Sequence, residues 1–240
     1  MATPPPQDRL TQNRLLRALS PAARQPLLPA LELVALGMRE QLIEPEVPIP
    51  FVYFPLHGVV SLVRTLGDGT QIEVVAIGNE GLIGLPLVLD ANTIPLTAFV
   101  QIEGEALRME AEVFGRLLRE GTGTLSHLLY RYSQALFNQL AQHLVCNRRH
   151  RIAQRCARWL LLTHDRVGRD EFPLTHEFLA LMLGVRRASV TEVAGRLQKA
   201  GLIRYRLGRM RVLDRAGLEA ASCECYGVIT QEWDRLLGPA

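Results

Sequence analysis

The 240-residue sequence predicts an α+β protein: an N-terminal β-roll, a long amphipathic helix and a C-terminal winged helix-turn-helix. Three observations carry this. Residues 51–109 hold short β-rich runs separated by Gly-bearing turns, with no helix-length segment between them to make a parallel crossover. From Thr124 to Asn147 apolar residues recur every three to four positions. From Thr175 to Leu202 a helix, a tight turn and a second helix follow one another, and two short strands come after.

In chain order, a Pro-rich N-terminal tip (1–12) is expected to be mobile. Asp8 to Leu19 reads as a short helix, and Ser20-Pro21 as an N-cap with proline at the first helical position of another. The roll (13–120) takes its strands from Val59–Val63, Ile72–Ile77, Thr97–Val100 and Ala106–Met109, with Gly67-Asp68-Gly69-Thr70 as the clearest hairpin. The long helix (121–147) carries Leu125, Leu129, Tyr132, Leu136, Leu140 and Leu144 as one stripe, expected to be a dimer interface because the helix is longer than a small roll needs for cover. The winged helix-turn-helix unit (148–226) and a helical tail (227–240) complete the chain.

With 48% hydrophobic and 21% charged residues, the composition excludes disorder as the main state. No apolar run approaches membrane-spanning length and no secretory leader is recognisable, so a soluble, cytoplasmic protein without a membrane partner is expected. Four cysteines in a chain of this length are too few for a disulfide framework. The net charge of +3 hides an asymmetry: residues 1–120 hold 9 basic and 14 acidic side chains, whereas Arg148 to Arg211 alone holds 15 and 5. Lys199 is the only lysine, so the positive field is almost all guanidinium, which grips phosphates bidentately and reads guanine edges. Double-stranded DNA is the expected partner.

Within the motif, Thr175 caps the first helix, Phe178, Leu179, Met182 and Leu183 face inward, and Gly184 supplies the left-handed residue that ends it. In the second helix Val190, Val193, Ala194 and Leu197 face the core, leaving Arg187, Ala188, Thr191 and Glu192 on or near the opposite side. The runs 203–206 and 209–212 around Leu207-Gly208 form the wing, and strand alternation sends Arg209 and Arg211 to the same side.

This pattern, together with Phe54-Pro55-Leu56-His57-Gly58-Val59-Val60-Ser61 and Ile77-Gly78-Asn79-Glu80-Gly81-Leu82-Ile83-Gly84, resembles the Crp/Fnr family of bacterial transcription regulators over roughly 13–226. The resemblance implies a cyclic-nucleotide-binding-like jelly roll as sensor and a homodimer joined by the long helix. It also implies a palindromic operator and RNA polymerase as a further partner. By motif position Arg187, Ala188 and Glu192 would face bases, and Arg186 and Ser189 phosphates. Thr175, Thr191, Arg196, Arg209 and Arg211 complete the expected DNA-contacting set. The family's best-known pattern has an acidic residue where Ala188 stands and a basic one where Glu192 stands, so its best-known operator is not implied. Arg186 replaces the usual small capping residue.

Cyclic-nucleotide-binding members carry a Gly-Glu pair for the ribose and an Arg-Ser or Arg-Thr pair for the phosphate; here the matching stretches read Gly84-Leu85 and Leu96-Thr97. No Lys or Arg occurs from Thr65 through Leu107, so nothing in the roll's central segment can neutralise a buried phosphate. Leu85, Pro86, Leu96 and Thr97 are expected either to line an apolar effector pocket or to fill it, and cyclic-nucleotide gating is disfavoured. No cofactor is expected, and no effector is named by the sequence.

His143, Cys146 and His150 fall on one helical face and Cys223-Glu224-Cys225 could add thiolates. This spacing matches no established zinc signature, so no metal site is expected; a metal- or redox-responsive sensor acting through protein partners is the alternative function. No Walker loop, dinucleotide fingerprint or nucleophile elbow is present, and an enzyme is not expected.

Overall fold

The structure, a computed structural model, describes residues 7–121 and 123–238. The expected helix from Asp8 to Leu19 is broken into α1 (Gln7–Leu10) and α2 (Arg14–Arg17). Asn13 makes the break. Its backbone is extended, its Oδ1 accepts the Leu16 N–H at 3.1 Å, and its Nδ2 donates to the Pro55 and Gly81 carbonyls at 2.9 Å each. One side chain thus caps a helix and ties it to the roll. The expected mobile tip is corrected accordingly: Leu10 is buried, while residues 1–6 lie outside the described residues. Ser20 caps α3 (Pro21–Arg24) as expected, accepting the Ala23 N–H at 3.3 Å, and the following segment Gln25–Ala30 is a 3-10 turn.

The roll is built from β1 (Glu32–Leu36), β2 (Gln41–Ile43), β3 (Phe51–Thr65), β4 (Gln71–Ile77) and β5 (Thr97–Glu110). They form one antiparallel sheet in the order β1-β5-β3-β4, with β2 also paired to β5. Two runs expected as separate strands, 97–100 and 106–109, are the ends of β5, and β1 and β2 are strands that the sequence pattern does not announce. The β3–β4 hairpin lies where the Gly-Asp-Gly-Thr turn puts it, closed by Leu66 N–H donating to the Thr70 carbonyl at 2.8 Å. A second 3-10 turn, Leu85–Leu89, interrupts the path from β4 to β5.

After α4 (Ala111–Glu120) comes the long helix α5 (Thr124–Arg149), then α6 (Ile152–Val167). The C-terminal unit adds β6 (Glu171–Pro173), α7 (His176–Leu183), α8 (Arg187–Lys199), β7 (Ile203–Arg206), β8 (Arg209–Val212), α9 (Arg215–Ala221) and α10 (Cys225–Leu237). The wing gains a third strand, because β6 pairs with β8. The tail returns along α5: Trp233 donates through Nε1 to Gln139 Oε1 at 2.8 Å, and its ring lies 5.7 Å from that of Tyr132.

Two cores result. The first joins the roll to α5 through Leu128, Leu129, Tyr132, Ala135 and Leu136, and to α10 through Trp233, Leu236 and Leu237. The second holds the helix-turn-helix, and Val59, Val63, Ala76 and Ile102 of the roll belong to it as well.

Candidate nucleic-acid interface

The helix-turn-helix forms for local reasons. Thr175 Oγ1 accepts the Phe178 N–H at 3.1 Å and opens α7. Gly184, at φ 62°, ends it with its N–H on the Ala180 and Leu181 carbonyls, a conformation that is strained for a residue with a Cβ. Val185 then packs into the corner between the helices. Arg186 is extended and its side chain makes no capping hydrogen bond to α8, in keeping with the loss of the usual small capping residue. Val190, Val193, Ala194 and Leu197 are buried. Arg186, Arg187, Ala188, Thr191 and Glu192 are all exposed on the other face, with Ser189 half-buried.

Not all of the expected contacts stand free. Arg196 is held by Glu192 one helical turn earlier, so the two charges partly neutralise each other on the face of α8. Arg209 Nε donates to Glu171 Oε1 at 2.5 Å across β6 and β8. Arg209 and Arg211 flank buried Met210 and point to the same exposed side, as alternation requires. Among the described residues, Arg186 and Arg187 form no ion pair, which leaves them the open cations at the N-terminus of α8.

Sequence reasoning missed His176. Its Nδ1 lies 3.1 Å from Thr191 Oγ1, which also donates to the Arg187 carbonyl, and its ring stacks on Tyr205 of the wing at 4.0 Å. Burial, followed by the Arg187 charge, lowers the imidazole's affinity for protons. It therefore braces α7, α8 and β7 as a neutral ring, and Thr191 is a positioning group. No periodicity links positions so far apart in sequence.

The unit is docked on the roll through that shared apolar core and through polar contacts. Arg166 of α6 places Nε and Nη2 2.9 Å from Glu80 Oε1, both side chains being under 10% exposed. Trp159 Nε1 donates to Glu73 at 3.1 Å, Ser61 Oγ lies 3.8 Å from Met182 Sδ, and Phe99 meets Phe178 edge to face at 6.2 Å. Gly78 and Gly81 are required by close approach. A Cβ on Gly78 would lie 2.5 Å from Arg166 Cγ, and one on Gly81 2.5 Å from the Tyr132 ring. Tyr132 in turn donates to the Leu82 carbonyl at 3.0 Å.

The expected dimer stripe needs correction. Leu129, Tyr132 and Leu136 are buried within their own chain, and Leu125 and Leu140 pack against the same core. Only Leu144, 71% exposed, is open. The outward face of α5 carries His127, Tyr130, Gln134, Phe137, Ala141, Leu144 and Arg148, a three-four alternation with Tyr130, Phe137 and Leu144 recurring every seven residues. Both faces of the helix are apolar, and the sequence alone does not say which one the roll and α10 cover.

In the roll, Leu85 and Pro86 are half-buried in the 3-10 turn, where Leu85 packs with Leu87 and Val88 against the core. Leu96 is half-buried too, and Thr97 opens β5 opposite Val63. The histidine–cysteine face also needs revision. His143 turns away to line a small cavity with Glu73 and Val74, whereas His150 joins Cys146, Cys223 and Cys225, whose ligand atoms all lie within 4.8 Å of one another.

Comparison with known proteins agrees with this architecture. The cyclic nucleotide-binding domain family matches residues 34–120 and the Crp-like helix-turn-helix domain family residues 154–221, together well over half of the chain. The structure of FixK2 from Bradyrhizobium japonicum superposes with a TM-score of 0.68 at 15% identity, covering 80% of this chain and 98% of that one. A CRP-family transcriptional regulator from Thermus thermophilus gives 0.66 at 22%, covering 79% and 96%. The c-di-GMP-responsive global regulator CLP of Xanthomonas campestris gives 0.58 at 17%, covering 80% and 99%. No curated protein matches the chain. Among the described residues no helix is long and apolar enough to cross a membrane. With a cyclic-nucleotide-binding-like roll, a long connecting helix and a DNA-binding winged helix-turn-helix in that order, the chain belongs to the Crp/Fnr family of transcription regulators.

Proposed function

We propose that the protein is a homodimeric, sequence-specific regulator that reads an inverted-repeat operator in the cytoplasm, without gating by cyclic nucleotide. The observation that carries the reading is the N-terminal half of α8. Arg186, Arg187, Ala188 and Thr191 stand exposed there, where a recognition helix enters the major groove, and the exposed wing arginines flank them. Tyr130, Phe137 and Leu144 form a heptad seam whose occupant is the same helix of a second copy, running parallel. A pair of such units would engage half-sites about 34 Å apart. RNA polymerase is the further partner of a regulator of this type.

The lack of Lys and Arg between Thr65 and Leu107, and the packing of Leu85 into the core, support a roll without a cyclic phosphate site. Cyclic AMP and cyclic GMP at millimolar concentration should give a flat calorimetric trace, and saturable micromolar binding would refute this part. An apolar effector pocket at Leu85, Pro86, Leu96 and Thr97 gains no support from the packed Leu85.

The test of the main reading is a titration of wild type, Arg187→Ala and Arg211→Ala against a selected operator, its single-base variants and random DNA at several salt concentrations. Loss of a bidentate guanine contact should cost Arg187→Ala about 1–3 kcal/mol on the operator and little on random DNA. Arg211→Ala should weaken all sequences alike and lower the salt slope by about one. Equal losses on operator and random DNA for Arg187→Ala would remove α8 as the reader.

A further inference from the structure

Cys146 and His150 lie one turn apart at the C-terminal end of α5, and Cys223 and Cys225 flank Glu224 where α10 begins. All three cysteines are buried and no disulfide joins them. Cys146 Sγ is 3.5 Å from Cys223 Sγ, and Cys225 Sγ is 3.4 Å from His150 Nδ1. In a tetrahedral zinc site with Zn–S of about 2.3 Å and Zn–N of about 2.0–2.1 Å, the S–S edge is about 3.8 Å and the S–N edge about 3.6 Å. The two measured edges are within a few tenths of an ångström of those values. A disulfide would need its sulfurs at about 2.05 Å and would give Cys225 and His150 no part.

From this geometry we propose that Cys146, His150, Cys223 and Cys225 form a tetrahedral site for a thiophilic divalent cation, zinc by its donor set. The surroundings match such a centre. His150 offers Nδ1 to the cluster, and its Nε2 lies 3.2 Å from Glu224 Oε1, the carboxylate partner that fixes a ligating imidazole. Gln142 Nε2 donates to Cys225 Sγ at 3.0 Å. Three thiolates on a dication leave one net negative charge. Arg158, buried at 4% exposure, lines a small cavity with Asn147, the residue after Cys146, and its Nε and Nη1 have no hydrogen-bond partner among the described residues. Its positive charge, which also acts on Glu73, complements the net negative charge of a tris-thiolate centre. His150 ends α5 just before α6 begins, so the cation would clamp the bend between the connecting helix and the DNA-binding unit to the start of α10.

The test uses the untagged full-length chain, reduced, stripped with a chelator and titrated with cobalt(II), then with zinc(II) in competition. One cobalt per chain is expected, with thiolate-to-metal charge-transfer absorption and the intense visible bands of tetrahedral coordination, all displaced by zinc. Thermal stability should rise on metal addition. Cys225→Ser should lose the tetrahedral spectrum, Glu224→Gln should weaken binding by about 10–100-fold, and Cys156→Ala, a buried thiol outside the cluster, should bind as wild type. Glu224 is 71% exposed, so its variant keeps the test informative if Cys225→Ser does not fold. A pale octahedral spectrum, substoichiometric cobalt, wild-type binding by Cys225→Ser, or a Cys146–Cys223 disulfide in a chain that takes up no metal when reduced would each overturn the proposal.

Discussion

Glu80→Gln should destabilise the protein out of proportion to its size. Glu80 Oε1 accepts from Nε and Nη2 of Arg166 at 2.9 Å, Oε2 accepts the Gly78 N–H at 3.1 Å, and the two side chains are 8% and 7% exposed. Glutamine keeps the shape and one acceptor but removes the charge, leaving the buried guanidinium without its hydrogen-bonded counter-ion. Such uncompensated charge costs about 3–5 kcal/mol, and the retained hydrogen bond places this variant near about 3. Arg166→Met should cost a similar amount through the stranded carboxylate. The double variant should be less damaged than the two singles added together, because no charge is then left over. Urea unfolding followed by fluorescence reads both cores, since Trp233 belongs to one and Trp159 to the other. The single variant should lower the Trp159 transition first. A loss under about 0.5 kcal/mol for Glu80→Gln, or additive losses in the cycle, would show that the pair does not hold the two units together.

Two further outcomes are expected. Phe137→Asp should leave the fold intact and weaken dimerisation by about 2 kcal/mol or more in sedimentation experiments, whereas Leu136→Asp, on the buried face, should unfold the protein; a dimeric Phe137→Asp would exclude the seam. Burial beside Arg158 and Arg166 pushes the His143 imidazole down to about 3, so the native state refuses a proton that the unfolded chain accepts below about 6.5. Its contribution is complete above that pH and is lost as pH falls, by about 2 kcal/mol at about pH 5. His143→Gln should flatten the acid side of the stability profile, and an unchanged slope would refute this assignment.

What can be read from the sequence is local. Thr175, Gly184 and the 190-193-194-197 face sit within a few residues of what they cap, end or bury, so spacing places them correctly. The Ser20 cap and the turn at 67–70 are of the same kind. Strand extent is not legible, because β3 and β5 hold together by pairing with each other across the sheet, and runs of apolar residues mark only their most buried parts. The outward face of α5 escapes the sequence since Leu129 and Phe137 look alike until α10 and the roll cover one of them. In the cysteine cluster, helical spacing pairs Cys146 with His150 correctly. It also attaches His143, which the fold turns toward β4.

The polar bonds and the shared apolar core between roll and helix-turn-helix set the terms of any regulation by movement. The motif Ile77–Gly84 is where the roll, α5 and α6 meet: Gly78 lies under Arg166, Glu80 pairs with it, Gly81 lies under the Tyr132 ring, and the Tyr132 hydroxyl reaches the Leu82 carbonyl. Rotating α8 away from this arrangement would expose Glu80 and Arg166 to separation and would break the Trp159–Glu73 bond while pulling Met182 from Ser61. A ligand shifts such an equilibrium only by its difference in affinity between the two arrangements. An effector that moved the helix-turn-helix would therefore have to bind the rotated form more tightly by at least the free energy these contacts contribute. The roll's packed leucines supply no charged group with which to build that difference. The Glu80–Arg166 cycle measures one part of that threshold: the larger its coupling energy, the less a weakly bound apolar molecule can do to reposition α8.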